Sequence, residues 1–142
     1  VEHRIELCNE VDGIRFVNDS KGTNPDAAIR AIEAMKRDII LIAGGYDKGA
    51  SFDEFVNAFD GKVKALVLLG KTATKIKEAA EKAGFTNTVI LKDMEACVRE
   101  AYRLAESGDV VLLSPACASW DMYTSFEQRG EHFKACVREL ER

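Results

Sequence analysis

The chain has 142 residues, enough for one domain with a single sizeable core, and its 46% hydrophobic and 31% charged residues are the balance of an ordinary folded protein. A formal net charge of −4, with lysines and glutamates mixed throughout, argues against nucleic acid or anionic membrane as the main partner, since both reward a clustered basic face. No apolar run is long enough to span a bilayer, and the opening Val1-Glu2-His3-Arg4 is not a signal peptide, so no membrane association is expected.

In chain order, His3 to Asn9 and Ile14 to Val17 alternate apolar and polar residues around Asp12-Gly13, a strong hairpin signal because glycine accepts the positive φ of a tight turn. The period then becomes helical: Ala27, Ala28, Ala31, Ile32 and Met35 share a face, with Asn24 as cap and Pro25 in the first turn. Ile39 to Ala43 is an apolar strand ending at Gly44-Gly45. A short helix is predicted from Phe52 to Phe59, capped by Ser51. Val63 to Leu69 reads as a strand, and Thr72 to Ala83 as a helix closed by Gly84. Thr88 to Leu91, a helix from Met94 to Glu106, and a strand from Asp109 to Leu113 follow. A last helix is predicted from about Tyr123 to Glu141, with Asp121 as its cap.

Continuous apolar strands alternating with amphipathic helices predict a parallel sheet covered on both faces. The expected architecture is a three-layer Rossmann-like α/β domain whose N-terminal hairpin supplies one antiparallel edge strand. With two prolines and no Gly/Ser-rich stretch, no internal linker is expected. Cys8, Cys97, Cys117 and Cys136 form no C-x-x-C pair, and His3 and His132 lie far apart. No metal site is therefore expected, and a reduced, cytoplasmic protein is. Because the sequence opens inside an apparent strand without a leading methionine, it reads as a piece of a longer protein.

Ligands of open α/β sheets bind beyond the carboxyl ends of the strands. That rule directs attention to the loops 18–23, 44–49 and 114–119, which are rich in small, hydroxyl and charged residues. Gly70-Lys71-Thr72 imitates a phosphate loop, but Ala65 stands where G-x-x-x-x-G-K-[ST] needs its first glycine, so it reads as a strand-to-helix turn. In the first loop Asp19 could accept from a ribose or orient a lysine, and Lys21 could meet a phosphate. Thr23 lies near a helix N-terminus, which favours anions. The same residues also read as a capped turn with Lys21 solvated, and composition does not separate the two.

Three glycines frame Lys48 in the second loop, so its ammonium could clamp a carboxylate, or it is a surface lysine on a turn. Ser114 and Ser119 leave room and hydroxyls for a carboxylate. Cys117 has no histidine near it in sequence and reads as a small packed residue. Gly130 inside a helix costs about 1 kcal/mol against alanine, which the close approach of another backbone would explain. Arg129 reads as an intradomain salt-bridge partner or a solvated residue, and His132 as a surface histidine.

Taken together, His3-Arg4, Asn-Asp-Ser-Lys-Gly-Thr-Asn at 18–24, Gly-Gly-Tyr-Asp-Lys-Gly at 44–49, Leu-Leu-Ser-Pro-Ala-Cys-Ala-Ser at 112–119, Asp121, Phe126-Glu127-Gln128-Arg129-Gly130 and Phe133 resemble the Mur ligase family, most closely its D-glutamate-adding branch. The likeness covers essentially the whole chain. It implies that residues 1–142 form the carboxyl-terminal, amino-acid-binding domain of a three-domain bacterial ligase, lacking the N-terminal domain and the central ATPase domain. The implied reaction joins D-glutamate to UDP-MurNAc-L-alanine in peptidoglycan precursor synthesis through an acyl phosphate, with ATP and Mg2+ held mainly by the central domain. By the same resemblance Thr23, Lys48, Ser119 and Phe126 would bind D-glutamate. Arg4, Asp19 and Lys21 would face ATP. A cytoplasmic monomer, inactive as this piece alone, is expected. The rival readings are a free-standing receiver-like α/β regulatory domain, which would need an aspartate ending a central strand, and a stand-alone nucleotide enzyme, which would need a phosphate loop.

Overall fold

A computed structural model describes residues 1–36 and 38–141. Strands β1 (Glu6–Val11) and β2 (Ile14–Asn18) form the expected hairpin. Asp12 and Gly13 take φ of 53° and 79° at its turn, the left-handed pair that matches the twist of the flanking strands. The first strand begins later than its alternation suggested. His3 and Ile5, at φ 65° and 44°, are folded out of extended geometry.

Helix α1 (Pro25–Ala34) starts where Asn24 accepts a hydrogen bond from the Ala27 N–H at 2.9 Å. Then follow β3 (Ile39–Ala43), α2 (Asp53–Asn57), β4 (Val63–Leu68), α3 (Ala73–Lys82), β5 (Thr88–Ile90), α4 (Met94–Leu104), β6 (Val110–Leu113) and α5 (Phe126–Glu139). Two sequence readings need correction. Helix α2 is a single turn starting at Asp53, after a buried Phe52 whose side chain makes no cap, while the Ser51 hydroxyl accepts from the Asp53 N–H at 3.3 Å. Helix α5 starts later than expected because Ser125, not Asp121, accepts from the Gln128 N–H at 3.1 Å. Asp121 instead accepts from the Lys71 N–H at 3.0 Å.

The six strands lie in the order β1-β2-β6-β3-β4-β5, with β1 antiparallel to β2 and every other pair parallel. One face buries Ala28, Ile32, Phe55, Phe59, Ile76 and Ala80 from α1, α2 and α3 and the segment after α2. The other buries Met94, Val98, Ala101, Phe133 and Val137 from α4 and α5. The domain is therefore a three-layer, Rossmann-like α/β fold. No helix among the described residues is long and apolar enough to cross a membrane.

Candidate functional site

Strand β6 sits between β2 and β3, yet the chain leaving it turns to the opposite face of the sheet from its neighbours. The exits of β2 and β3 lead to α1 and α2 on one side, and the exit of β6 leads to α5 on the other. Loops diverging in this way open a crevice at the carboxyl ends, where such sheets bind ligands. The three loops singled out by composition are the three that line it. A cavity of about 530 Å³ instead runs along the sheet's flank toward the amino ends of β3 and β6, lined there by Asp38, Gly108 and Val110.

The loop after β2 is pinned rather than free. Asn18, Asp19 and Ser20 are all buried. The Asp19 carboxylate accepts from the Ile5 N–H at 3.1 Å and from the Ser114 hydroxyl at 2.7 Å, while its own N–H donates to the Leu113 carbonyl at 2.7 Å. Burial pushes the Asp19 carboxyl above the usual carboxylate range despite these donors and the nearby charges of Arg4 and Arg30. A carboxylate whose native pKa is raised loses stability as pH climbs from its ordinary value to its native one, and above the native value that cost is fully present. Asp19→Asn is therefore expected to raise the urea midpoint of the chain at pH 7, with the gain vanishing in acid. A lowered midpoint at pH 7 would show instead that Asp19 stabilises the loop as an anion.

Arg4, Asp19 and Lys21 meet around one small cavity of about 70 Å³, whose wall also includes Gly22 and Arg30. Arg30 lies on α1 and carried no motif, so sequence inspection passed over it. The Lys21 N–H donates to the His3 carbonyl at 2.9 Å, and its ammonium lies 6.0 Å from the Phe126 ring centroid. Phe126 in turn meets the His3 ring edge to face at 6.2 Å. His3 is seated by Gly130: a β-carbon there would lie 2.2 Å from His3 Nδ1. The expectation of a close backbone at this glycine is thus corrected to a close side chain. Gly130→Ala should unseat His3 despite its better helix propensity, and the imidazole signals in NMR spectra should move. Unmoved signals would mean that the ring needs no such seat.

The loops after β3 and β6 are stitched together by their backbones. Tyr46 and Ala118 exchange N–H···O bonds at 2.8 and 3.2 Å, and the Gly44 N–H donates to the Pro115 carbonyl at 3.0 Å. Thr72 adds a clasp, accepting from the Gly45 N–H and donating to the Gly45 carbonyl, each at 3.1 Å. Gly70-Lys71-Thr72 is therefore the strand-to-helix turn that its sequence suggested. Cys117 contacts the Thr72 hydroxyl at 3.2 Å and is buried, which pushes its thiol up to about 11, as suits a small packed residue.

Lys48 projects from the glycine-framed loop into solvent, with its ammonium 5.6 Å from the Trp120 ring centroid. Its neighbour Asp47 is otherwise engaged: the Lys75 ammonium at 2.7 Å holds that carboxyl below its usual range, and Gly49 and Ala50 donate their N–H groups to it. Ser119 is buried, and its carbonyl accepts from the Tyr123 N–H at 2.9 Å in the turn that leads toward α5. Thr23 is half-buried, just before the Asn24 cap of α1.

Arg129 was read from sequence as a salt-bridge partner or a solvated residue, and the structure corrects both readings. It is 3% exposed, and its guanidinium spans the crevice floor. Nε donates to the Ser20 hydroxyl at 3.0 Å, Nη2 to the Ser20 carbonyl at 2.7 Å, and Nη1 to the Cys117 carbonyl at 3.0 Å. Burial brings it down to about 10, which still leaves it charged at neutral pH. His132 is exposed, as expected, and its Nδ1 lies 2.7 Å from the Tyr123 hydroxyl. Glu2, His3 and Glu131 lie close enough to share a cation. The Lys134 ammonium already fills that role, 3.1 Å from Glu2 and 3.2 Å from Glu131.

Residues 3–117 match the family model described as Mur ligase, glutamate ligase domain. The chain is 59% identical over its full length to a UDP-N-acetylmuramoylalanine--D-glutamate ligase of Thermoanaerobacter sp. (strain X514), and covers 32% of that protein. It is 56% identical to the ligase of the same name from Clostridioides difficile (strain 630), over 99% of the chain and 31% of the relative. The chain thus spans about a third of the length of the curated relatives it matches. Among solved structures, UDP-N-acetylmuramate-alanine ligase from Thermotoga maritima aligns with 99% of the chain and 31% of its own, at TM-score 0.66 and 12% identity. E. coli FolC in complex with ADP aligns with 100% of the chain and 33% of its own, at TM-score 0.67 and 16% identity. At such identities these two establish a shared fold. The receiver-like alternative falls away, since β3 is followed by Gly44 and Gly45 where a phosphoacceptor aspartate would stand.

Proposed function

From the premise that this chain belongs to the Mur ligase family, we propose that it is the carboxyl-terminal, amino-acid-recruiting domain of an ATP-dependent ligase joining D-glutamate to UDP-MurNAc-L-alanine. One observation carries the reading. The loops holding Thr23, Lys48 and Ser119 leave three adjacent strands at one end of the sheet, in a chain 59% identical to a ligase named for D-glutamate. Lys48 and Thr23 would hold one carboxylate of the amino acid, and Ser119 with the Phe126 region the other.

Arg4, Asp19 and Lys21, now joined by Arg30, would face the nucleotide. Their cavity of about 70 Å³ suits one edge of it, and the remainder would be held by the rest of the ligase together with Mg2+. The ligase activates the muramoyl-linked carboxylate as an acyl phosphate, and the amine of D-glutamate attacks it, forming the amide and releasing phosphate. This domain's share is positional: an amine held against the acyl phosphate reacts without first losing its translational freedom. A monomer working in the bacterial cytoplasm fits this role.

Lys48→Ala in the full-length ligase tests the reading. Losing a charged hydrogen bond of about 1.5–3 kcal/mol should raise the KM for D-glutamate by roughly ten- to a hundredfold and leave the KM for ATP nearly unchanged. An unaltered D-glutamate KM would remove Lys48 from the site. The 142-residue chain alone should neither release ADP nor form the amide, and measurable turnover by it would overturn its role as a part.

A further inference from the structure

The Lys48 ammonium has an aromatic face where a carboxylate would be expected. Asp47, the acid next to it, is committed to Lys75 at 2.7 Å and to two backbone N–H groups. Trp120 faces the ammonium instead, at 5.6 Å from ring centroid to Nζ, within the range over which the indole's negative face attracts a cation. Trp120 is 63% exposed, so burial does not account for a large aromatic residue here. Its place follows from the backbone. The Tyr46–Ala118 bridge fixes the β6 loop against the Lys48 loop, and Trp120 comes two residues after Ala118. Tyr46, 37% exposed, backs the indole with ring centroids 5.5 Å apart at 49°. On its other side Lys48 is followed by Gly49, at φ 88° with nothing within 4 Å of the place a β-carbon would take.

We propose that Trp120, buttressed by Tyr46, is a positioning residue for Lys48. The indole holds the ammonium at the rim of the crevice before the amino acid arrives and releases it to the incoming carboxylate. An aromatic face suits this task better than an acid would. It restrains the flexible side chain without neutralising the charge that the ligand must meet, and it does not compete with a carboxylate for the ammonium's donors. The proposal rests on the reading of Lys48 as a ligand of D-glutamate.

Two measurements test it. In NMR spectra of the 142-residue chain, ring current from its single tryptophan should displace the Lys48 Hε resonances upfield, and Trp120→Leu should abolish that displacement. In the full-length ligase, Trp120→Leu should raise the KM for D-glutamate by about two- to fivefold, the factor expected for an exposed cation–π contact. The kcat at saturating D-glutamate and the KM for ATP should stay as they were, and Trp120→Phe should restore most of the affinity. If Lys48→Ala raises the D-glutamate KM and Trp120→Leu does not, the positioning role is wrong and the site reading survives. If neither substitution moves it, both fail. Lys48 resonances at ordinary positions in the unsubstituted chain would also overturn the proposal.

Discussion

Replacing Arg129 by methionine should cost the domain about 2–4 kcal/mol and disable both halves of the site together. The guanidinium makes three buried hydrogen bonds at 2.7–3.0 Å, to the Ser20 hydroxyl, the Ser20 carbonyl and the Cys117 carbonyl. Methionine fills much of the volume but donates nothing, leaving two carbonyls buried without these partners. Each such group costs about 1–3 kcal/mol, offset in part by no longer burying a charge. Because Ser20 precedes Lys21 and Cys117 precedes Ser119 by two residues, both loops should lose register. In the full-length ligase the KM values for ATP and D-glutamate should therefore rise together, unlike the selective change expected for Lys48→Ala. Lysine should rescue poorly, since one compact ammonium cannot reproduce the planar fork. Urea unfolding and steady-state kinetics would check this, and a methionine variant with unchanged midpoint and KM values would strip Arg129 of its linking role.

The other large effect lies at Gly44, where alanine is expected to cost about 4 kcal/mol or more, a large part of the 5–15 kcal/mol that holds a typical domain together. Gly44 sits at φ 122°, and a β-carbon there would lie 1.9 Å from the Leu69 carbonyl oxygen, so both dihedral and space forbid a side chain. That oxygen belongs to the chain just leaving β4, the neighbour of β3, and cannot yield without disturbing the carboxyl end of the sheet. Gly61→Ala is the internal control. At φ 72° with nothing within 4 Å, it should cost only the left-handed penalty of about 1–2 kcal/mol. Thermal or urea denaturation of the two variants should separate them clearly. Equal losses would mean that the dihedral alone, not the Leu69 contact, governs Gly44.

Much of the fold was legible because its cues are local. Asp12-Gly13 announced the hairpin, Asn24 capped α1, and the runs 39–43, 63–69 and 109–113 read as strands, found at 39–43, 63–68 and 110–113. The three crevice loops followed from the strand-end rule together with their small and charged residues. Where local cues competed, the reading went astray. Asp121 and Ser125 are both good caps, and the choice fell to Ser125 because Asp121 is drawn away to the Lys71 N–H, 50 residues distant in sequence.

By itself, then, the sequence determined the class of fold, and it pointed to one end of the sheet and to a glycine-framed lysine there as the site proposed above. Those depend on period, dihedral preference and strand direction, all properties of short segments. Only the tertiary structure decided that β6 enters between β2 and β3, since equally apolar strands do not declare which edge receives them. That insertion brings together groups remote in the chain: Arg129 with Ser20 across 109 positions, Asp19 with Ser114 across 95, and Trp120 with Lys48. A hydrogen bond or a cation–π contact leaves no periodic trace in a sequence, because it depends on where two surfaces meet and not on what stands beside it in the chain.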